Sequence, residues 1–244
     1  MNRQPTSLGV FAIAMLIAAV SNGTGLRASD RQQERAFERE ITIKVGLKYL
    51  LSLPLGYEKS DRPFPLLVFL HGSGESGDDL NRVKANGPPK LIETGKEFPF
   101  IVLSPQSSGR GWNPVVLNAL LDEVISNCRV DKDRIYLTGL SMGGSGTWQF
   151  AAAYPQRFAA IAPICGAARG IDAATIKDIP IWVFHGAKDD AVPIARSKEM
   201  IEALEKAGAK QVKFTEYPDA GHDSWTVTYD NPEFYAWLLS HSRK

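Results

Sequence analysis

From residue 65 onward the chain alternates between two kinds of pattern. Short runs that are apolar at nearly every position (65–70, 100–104, 135–140, 158–164 and 179–184) fit strands buried on both faces of a sheet. Between them lie longer segments with helical character at 113–128, 147–154, 195–207 and 232–240. The run 212–217 alternates apolar and polar side chains, which predicts a strand nearer a sheet edge. Segment 113–128 carries Val115, Val116, Leu117, Leu120, Leu121, Val124 and Ile125, so it is expected to be apolar around much of its girth and deeply packed. Upstream, 41–45 and 48–53 both alternate, predicting two antiparallel strands with one wet face. The regular strand–helix alternation predicts an α/β fold with a mostly parallel, doubly wound sheet and antiparallel N-terminal strands. In such sheets ligands bind beyond the carboxyl ends of the strands.

The first 28 residues read differently. Arg3 gives a short positive start, 8–20 is an almost unbroken apolar run, and small and polar residues lead to a cleavage-like Leu26-Arg27-Ala28. The apolar run is too short to span a bilayer and suits a cleaved signal peptide, hence a secreted or periplasmic protein. Residues 29–40 are a charged lead-in, and 41–244 are expected to form a single domain. The formal charge of +1 becomes −1 when Arg3 and Arg27 leave with the signal. A chain this close to neutral has no electrostatic case for nucleic acid or anionic membranes as partners; no integral membrane association is expected after signal removal.

The chemistry concentrates in loops at strand ends. Gly139-Leu140-Ser141-Met142-Gly143 is a G-x-S-x-G between an apolar strand and a small-residue helix. That pattern puts a serine on a sharp strand-to-helix turn with its hydroxyl clear of the sheet, and the flanking glycines leave room for the neighbouring strand and helix. The strand 65–70 runs into His71-Gly72-Ser73-Gly74-Glu75-Ser76-Gly77, a loop flexible enough to turn backbone N–H groups toward a neighbouring site. A serine nucleophile needs a base and a third group that orients the base. Of the four histidines, His71 precedes the glycine-rich loop and braces it, His185 ends a strand and His241 lies in a polar tail. His222, preceded by Gly221 on a post-strand loop, is the candidate base. Asp189 and Asp190 are adjacent candidates for the acid, while Asp219 and Asp223 stand too close to His222 to face it. No H-E-x-x-H or Cys-x-x-Cys occurs, so no metal and no cofactor are expected.

Taken together, Leu70-His71-Gly72-Ser73-Gly74, Gly139-Leu140-Ser141-Met142-Gly143-Gly144, His185-Gly186-Ala187-Lys188-Asp189-Asp190-Ala191-Val192-Pro193 and Ala220-Gly221-His222-Asp223 resemble the α/β-hydrolase superfamily. The resemblance is to its secreted esterases and peptidases related to dienelactone hydrolase, feruloyl esterase and polyhydroxybutyrate depolymerase, and it covers roughly residues 41–240. It implies a Ser141–His222–Asp189 triad, with Asp189 chosen over Asp190 by its place four residues after His185. It also implies oxyanion donors at the backbone N–H of Met142 and Ser73, and hydrolysis of carboxylic esters through an acyl-enzyme. The expected substrate is an ester, free or linked to polysaccharide or polyester. The alternatives are a serine peptidase of prolyl-oligopeptidase type and a non-catalytic binding relative. About fifteen residues separate the strands 158–164 and 179–184, which leaves no room for a large lid domain.

Two aromatic residues and two thiols complete the expectations. Trp112, in a glycine-rich loop after a strand, and Trp225, three residues past His222, are expected to line the substrate pocket and to favour aryl esters such as hydroxycinnamoyl groups. Cys128 and Cys165 fall at opposite ends of the parallel strands, about 17–20 Å apart for strands of five or six residues. They are therefore expected to stay unpaired, although a secreted chain makes a disulfide the default.

Overall fold

The computed structural model describes residues 34–109 and 111–243. The signal peptide expected at 1–28 lies outside them. The chain divides into a unit ending at Ile43 and a second unit of residues 44–244. In the first, the described residues 34–43 form neither helix nor strand and are exposed.

The second unit carries a seven-stranded sheet of order β1-β3-β2-β4-β5-β6-β7. Its strands are β1 (Tyr49–Ser52), β2 (Phe64–Leu70), β3 (Ile101–Pro105), β4 (Val130–Leu140), β5 (Ala160–Ile164), β6 (Ile181–Gly186) and β7 (Val212–Tyr217). Only β1 runs antiparallel, pairing Tyr49 with Pro105 and Ser52 with Val102. All other neighbours are parallel. The helices are α1 (Gly87–Glu93), α2 (Pro114–Asn127), α3 (Met142–Ala153), α4 (Ala195–Lys206), α5 (Trp225–Asp230) and α6 (Pro232–Leu239).

The uninterrupted apolar character of β2 comes from the two cores it separates. Leu66, Val68 and Leu70 pack with Leu117, Leu121, Trp148 and Phe150 on one face. Leu67 and Phe69 pack with Phe100, Tyr136, Phe184, Tyr229 and Phe234 on the other. Each such fully buried side chain contributes about 1.5–3 kcal/mol by transfer from water.

Three expectations are corrected here. Of the two antiparallel N-terminal strands, only Tyr49–Ser52 forms. Residues 41–45 lie outside every strand, with Ile41 and Ile43 71% and 74% exposed. Alternation specifies a face, but a strand also needs a neighbour for its N–H and C=O groups. Helix α2 is not apolar-packed all round. It buries Leu117, Leu121 and Val124, one stripe at helical spacing, while Val115 is 63% exposed. Helix α3 starts at Met142, not at Thr147, because its glycine-rich first turn packs too closely on the sheet for side chains.

Residues 165–180, between β5 and β6, contain one short 3-10 turn, Ala173–Thr175. The loops after β2, β3, β4, β5, β6 and β7 all emerge at the carboxyl edge of the parallel sheet.

Candidate active site

The turn from β4 into α3 sets the geometry. A Cβ on Gly143 would lie 1.9 Å from the Leu70 carbonyl oxygen, and one on Gly139 would lie 2.4 Å from that of Gly143. Glycine at both positions lets strand, turn and helix approach this closely. Ser141 sits between them at φ 53° and ψ −113°, a conformation that costs an L-residue on the order of 1–3 kcal/mol. Its N–H donates to Ile164 O at 2.9 Å, pinning the turn to β5.

From this turn a continuous hydrogen-bonded chain runs across three loops. The Ser141 hydroxyl donates to His222 Nε2 at 2.8 Å. His222 Nδ1–H donates to Asp189 Oδ2, also at 2.8 Å. Asp189 Oδ1 accepts the N–H groups of Ala191 (3.0 Å) and Val192 (2.8 Å). Burial alone would push the Asp189 carboxyl up. The hydrogen bonds from His222, Val192 and Ala191, with the nearby imidazole charge, outweigh it and hold the group below the usual carboxylate range. Asp189 is 8% exposed, whereas Asp190 is exposed to solvent. Asp219 pairs with Lys188, and Asp223 accepts from Thr226 N and Oγ1.

Ser73 and Met142 line the same open cavity of about 720 Å³, with Ser76, Gly77, Ser108 and Gly109. Met142 is the first residue of α3, where backbone N–H groups are free of intrahelical partners. The glycine-rich loop is fixed from behind. His71 Nδ1 donates to Gly72 O at 2.6 Å and Nε2 accepts from Ser107 N at 3.0 Å. Burial lowers the His71 pKa, in keeping with a neutral ring in that bracing role. Gln106 Nε2 donates to Glu75 O at 2.6 Å.

Trp112 does not form a pocket wall. It is 7% exposed, lies in the core beneath the loop, and stands edge-on to His71 at 4.8 Å. Its indole N–H donates to His71 O at 3.3 Å, and its ring rests where a Cβ on Gly146 would stand 2.5 Å away. The flanking glycines suggested an open loop; in the fold, the space opposite Gly146 draws the indole inward. Trp225 stands beside the site, edge-on to His222 at 5.3 Å, with its N–H on Asn86 Oδ1 at 3.2 Å. Asn86 in turn donates to the buried Glu75. This tie between the loop after β2 and the His222 loop has no sequence signature, because its members lie far apart in the chain.

Among the described residues, one cluster has ligand-type atoms within 4.8 Å of one another: Cys165, Asp189 and His222. Its carboxylate and imidazole are already committed to each other. Burial raises the Cys165 thiol to about 12. Cys128 and Cys165 are both free, as expected from their strand ends.

The dienelactone hydrolase family model matches residues 113–233. "Probable feruloyl esterase C" of Aspergillus niger is 24% identical over 190 residues, covering 75% of this chain and 70% of that protein. The crystal structure of a thermostable esterase superposes with a TM-score of 0.70 at 34% identity, covering 82% of this chain and 60% of that one. A feruloyl esterase module from Clostridium thermocellum, solved as an S954A mutant with sinapinate, shares the fold with a TM-score of 0.59 at 18% identity, covering 79% and 82% of the two chains. The chain belongs to the α/β-hydrolase superfamily. The proteins it resembles are carboxylic ester hydrolases, and they support the same class of enzyme for this chain.

Proposed function

We propose that residues 41–244 form a serine esterase domain that works through an acyl-enzyme on Ser141. The observation that carries this reading is the unbroken chain of two 2.8 Å hydrogen bonds from Ser141 through His222 to the buried Asp189. His222 Nε2 takes the serine proton as Oγ attacks the ester carbonyl, then delivers it to the leaving alcohol oxygen. Asp189 fixes the imidazole tautomer and stabilises the imidazolium. The backbone N–H groups of Met142 and Ser73 hold the oxyanion, each contributing about 3 kcal/mol to the barrier reduction by comparison with other such donors. Water, activated by the same histidine, then releases the acid.

The names of the relatives favour hydroxycinnamoyl esters as a substrate class. Trp225, beside His222, supplies an aromatic edge for such an acyl or alcohol group. Loss of residues 1–28 as a signal peptide would place the enzyme outside the cytoplasm. Esters and amides are separated by the leaving group, since an amine must be protonated as it departs and an alkoxide or phenolate needs less help. Purified enzyme is therefore given p-nitrophenyl acetate, methyl ferulate and a peptide p-nitroanilide. Turnover of both esters with anilide turnover at least about a thousandfold slower supports the esterase reading. Anilide cleavage at rates comparable to the esters would make it a peptidase.

A further inference from the structure

Asp189 has a neighbour that the triad does not use. His185, at the end of β6, is fully buried, and its Nε2 lies 3.1 Å from Asp189 Oδ2, the oxygen that accepts from His222. The same Nε2 is 2.8 Å from Val192 O, and Nδ1 is 2.7 Å from Ser197 Oγ. Nε2 thus faces two acceptors, a carbonyl and a carboxylate. A lone pair there would be repelled by both, so Nε2 carries the proton and Nδ1 takes the hydrogen of the Ser197 hydroxyl. Ser197, in α4, is itself buried.

The consequence concerns the loop 189–192. Asp189 Oδ1 is held by the N–H groups of Ala191 and Val192, and the Val192 carbonyl is held by His185. The ring therefore anchors the turn that anchors one carboxylate oxygen, and sets a polarised N–H beside the other. We infer that His185 is a positioning residue for Asp189, fixing the loop and carboxylate so that Oδ2 stays aimed at His222 Nδ1. This inference rests on the Ser141–His222–Asp189 reading. A rotation of the carboxylate would lengthen the Asp189–His222 bond and misplace Nε2 relative to Ser141, and misplacements of about 1 Å cost on the order of 10²-fold in rate. Supporting groups of this kind are what hold a catalytic constellation to its working geometry.

Two substitutions separate positioning from packing. His185→Leu fills the space without a donor; His185→Gln carries an N–H at a reach similar to Nε2. The expected result is a kcat lowered by about 10- to 100-fold for His185→Leu with KM within about twofold. His185→Gln should recover at least about tenfold of that loss, even if both variants melt lower than the parent. Folded His185→Leu with a kcat within twofold of the parent would overturn the inference. Should either variant fail to fold, histidine ¹⁵N–¹H correlation spectra of the unmodified protein decide the matter: a proton on His185 Nε2 is expected, and an unprotonated Nε2 refutes the role. Ser141→Ala is assayed alongside. A Ser141→Ala variant that keeps its rate sinks the serine reading, whereas an inactive Ser141→Ala beside a folded His185→Leu at the parent rate overturns only the role of His185.

Discussion

Replacing Trp112 with alanine tests whether the indole is part of the frame or of the pocket. Its ring packs among Leu117, Trp148 and the rest of the α2–α3 core, and its N–H satisfies the buried carbonyl of His71. Truncating a buried tryptophan costs about 3–5 kcal/mol through lost transfer energy and the cavity left behind. For a domain of this size each kcal/mol moves the melting temperature by about 2–4 °C, so Trp112→Ala should melt roughly 6–20 °C lower. Thermal unfolding by circular dichroism gives that shift. Parallel assays well below the new midpoint compare a hydroxycinnamoyl ester with an acetate ester. The ratio of their rates should stay within about twofold of the parent ratio, because the indole acts on both only through His71 and the glycine-rich loop. A melting temperature within 2 °C of the parent, together with a selective loss on the aryl ester, would show that the ring lines the pocket and that the core assignment is wrong.

Two further outcomes follow from the same geometry. Asp189→Asn should lower kcat by about 10⁴-fold by presenting an N–H where His222 needs an acceptor, and Asp190→Asn, on the exposed neighbour, by no more than about threefold. Steady-state kinetics on p-nitrophenyl acetate would expose the opposite ranking. The Cys165 thiol, raised by burial to about 12, is ionised in only about one molecule in 10⁴ at pH 8. Iodoacetamide at that pH should therefore leave Cys165 unlabelled and activity intact until denaturant is added; rapid labelling of Cys165 in the native protein, read by peptide mass spectrometry, would contradict its burial.

The parts of this fold that could be read from sequence are those fixed by local pattern. Strands β2 and β5 are apolar at nearly every position because both faces are covered, and Gly139 and Gly143 mark a turn with no room for a Cβ. His222 stood out by its place on a post-strand loop and by Gly221 before it. What escaped depends on partners remote in the chain. The choice of Asp189 over Asp190 came from the resemblance, because periodicity cannot separate adjacent residues of one loop; in the structure Asp189 Oδ1 accepts the N–H groups of Ala191 and Val192. Segment 41–45 alternates like a strand, yet no strand among the described residues pairs with it. Trp112 gave a loop signal because its burial comes from Gly146, on another element. The short helix α5 was missed because Trp225–Asp230 has too few residues to show a period. The contact of His185 with Asp189 was equally hidden, because a histidine at a strand end looks the same whether it packs or positions.

Ser141→Ala tests the serine nucleophile most directly. Alanine occupies the strained turn no worse than serine, so the far-ultraviolet spectrum and melting temperature should match the parent. The kcat for p-nitrophenyl acetate should fall by about five to six orders of magnitude. A folded Ser141→Ala enzyme that still hydrolyses the ester near the parent rate would contradict that role.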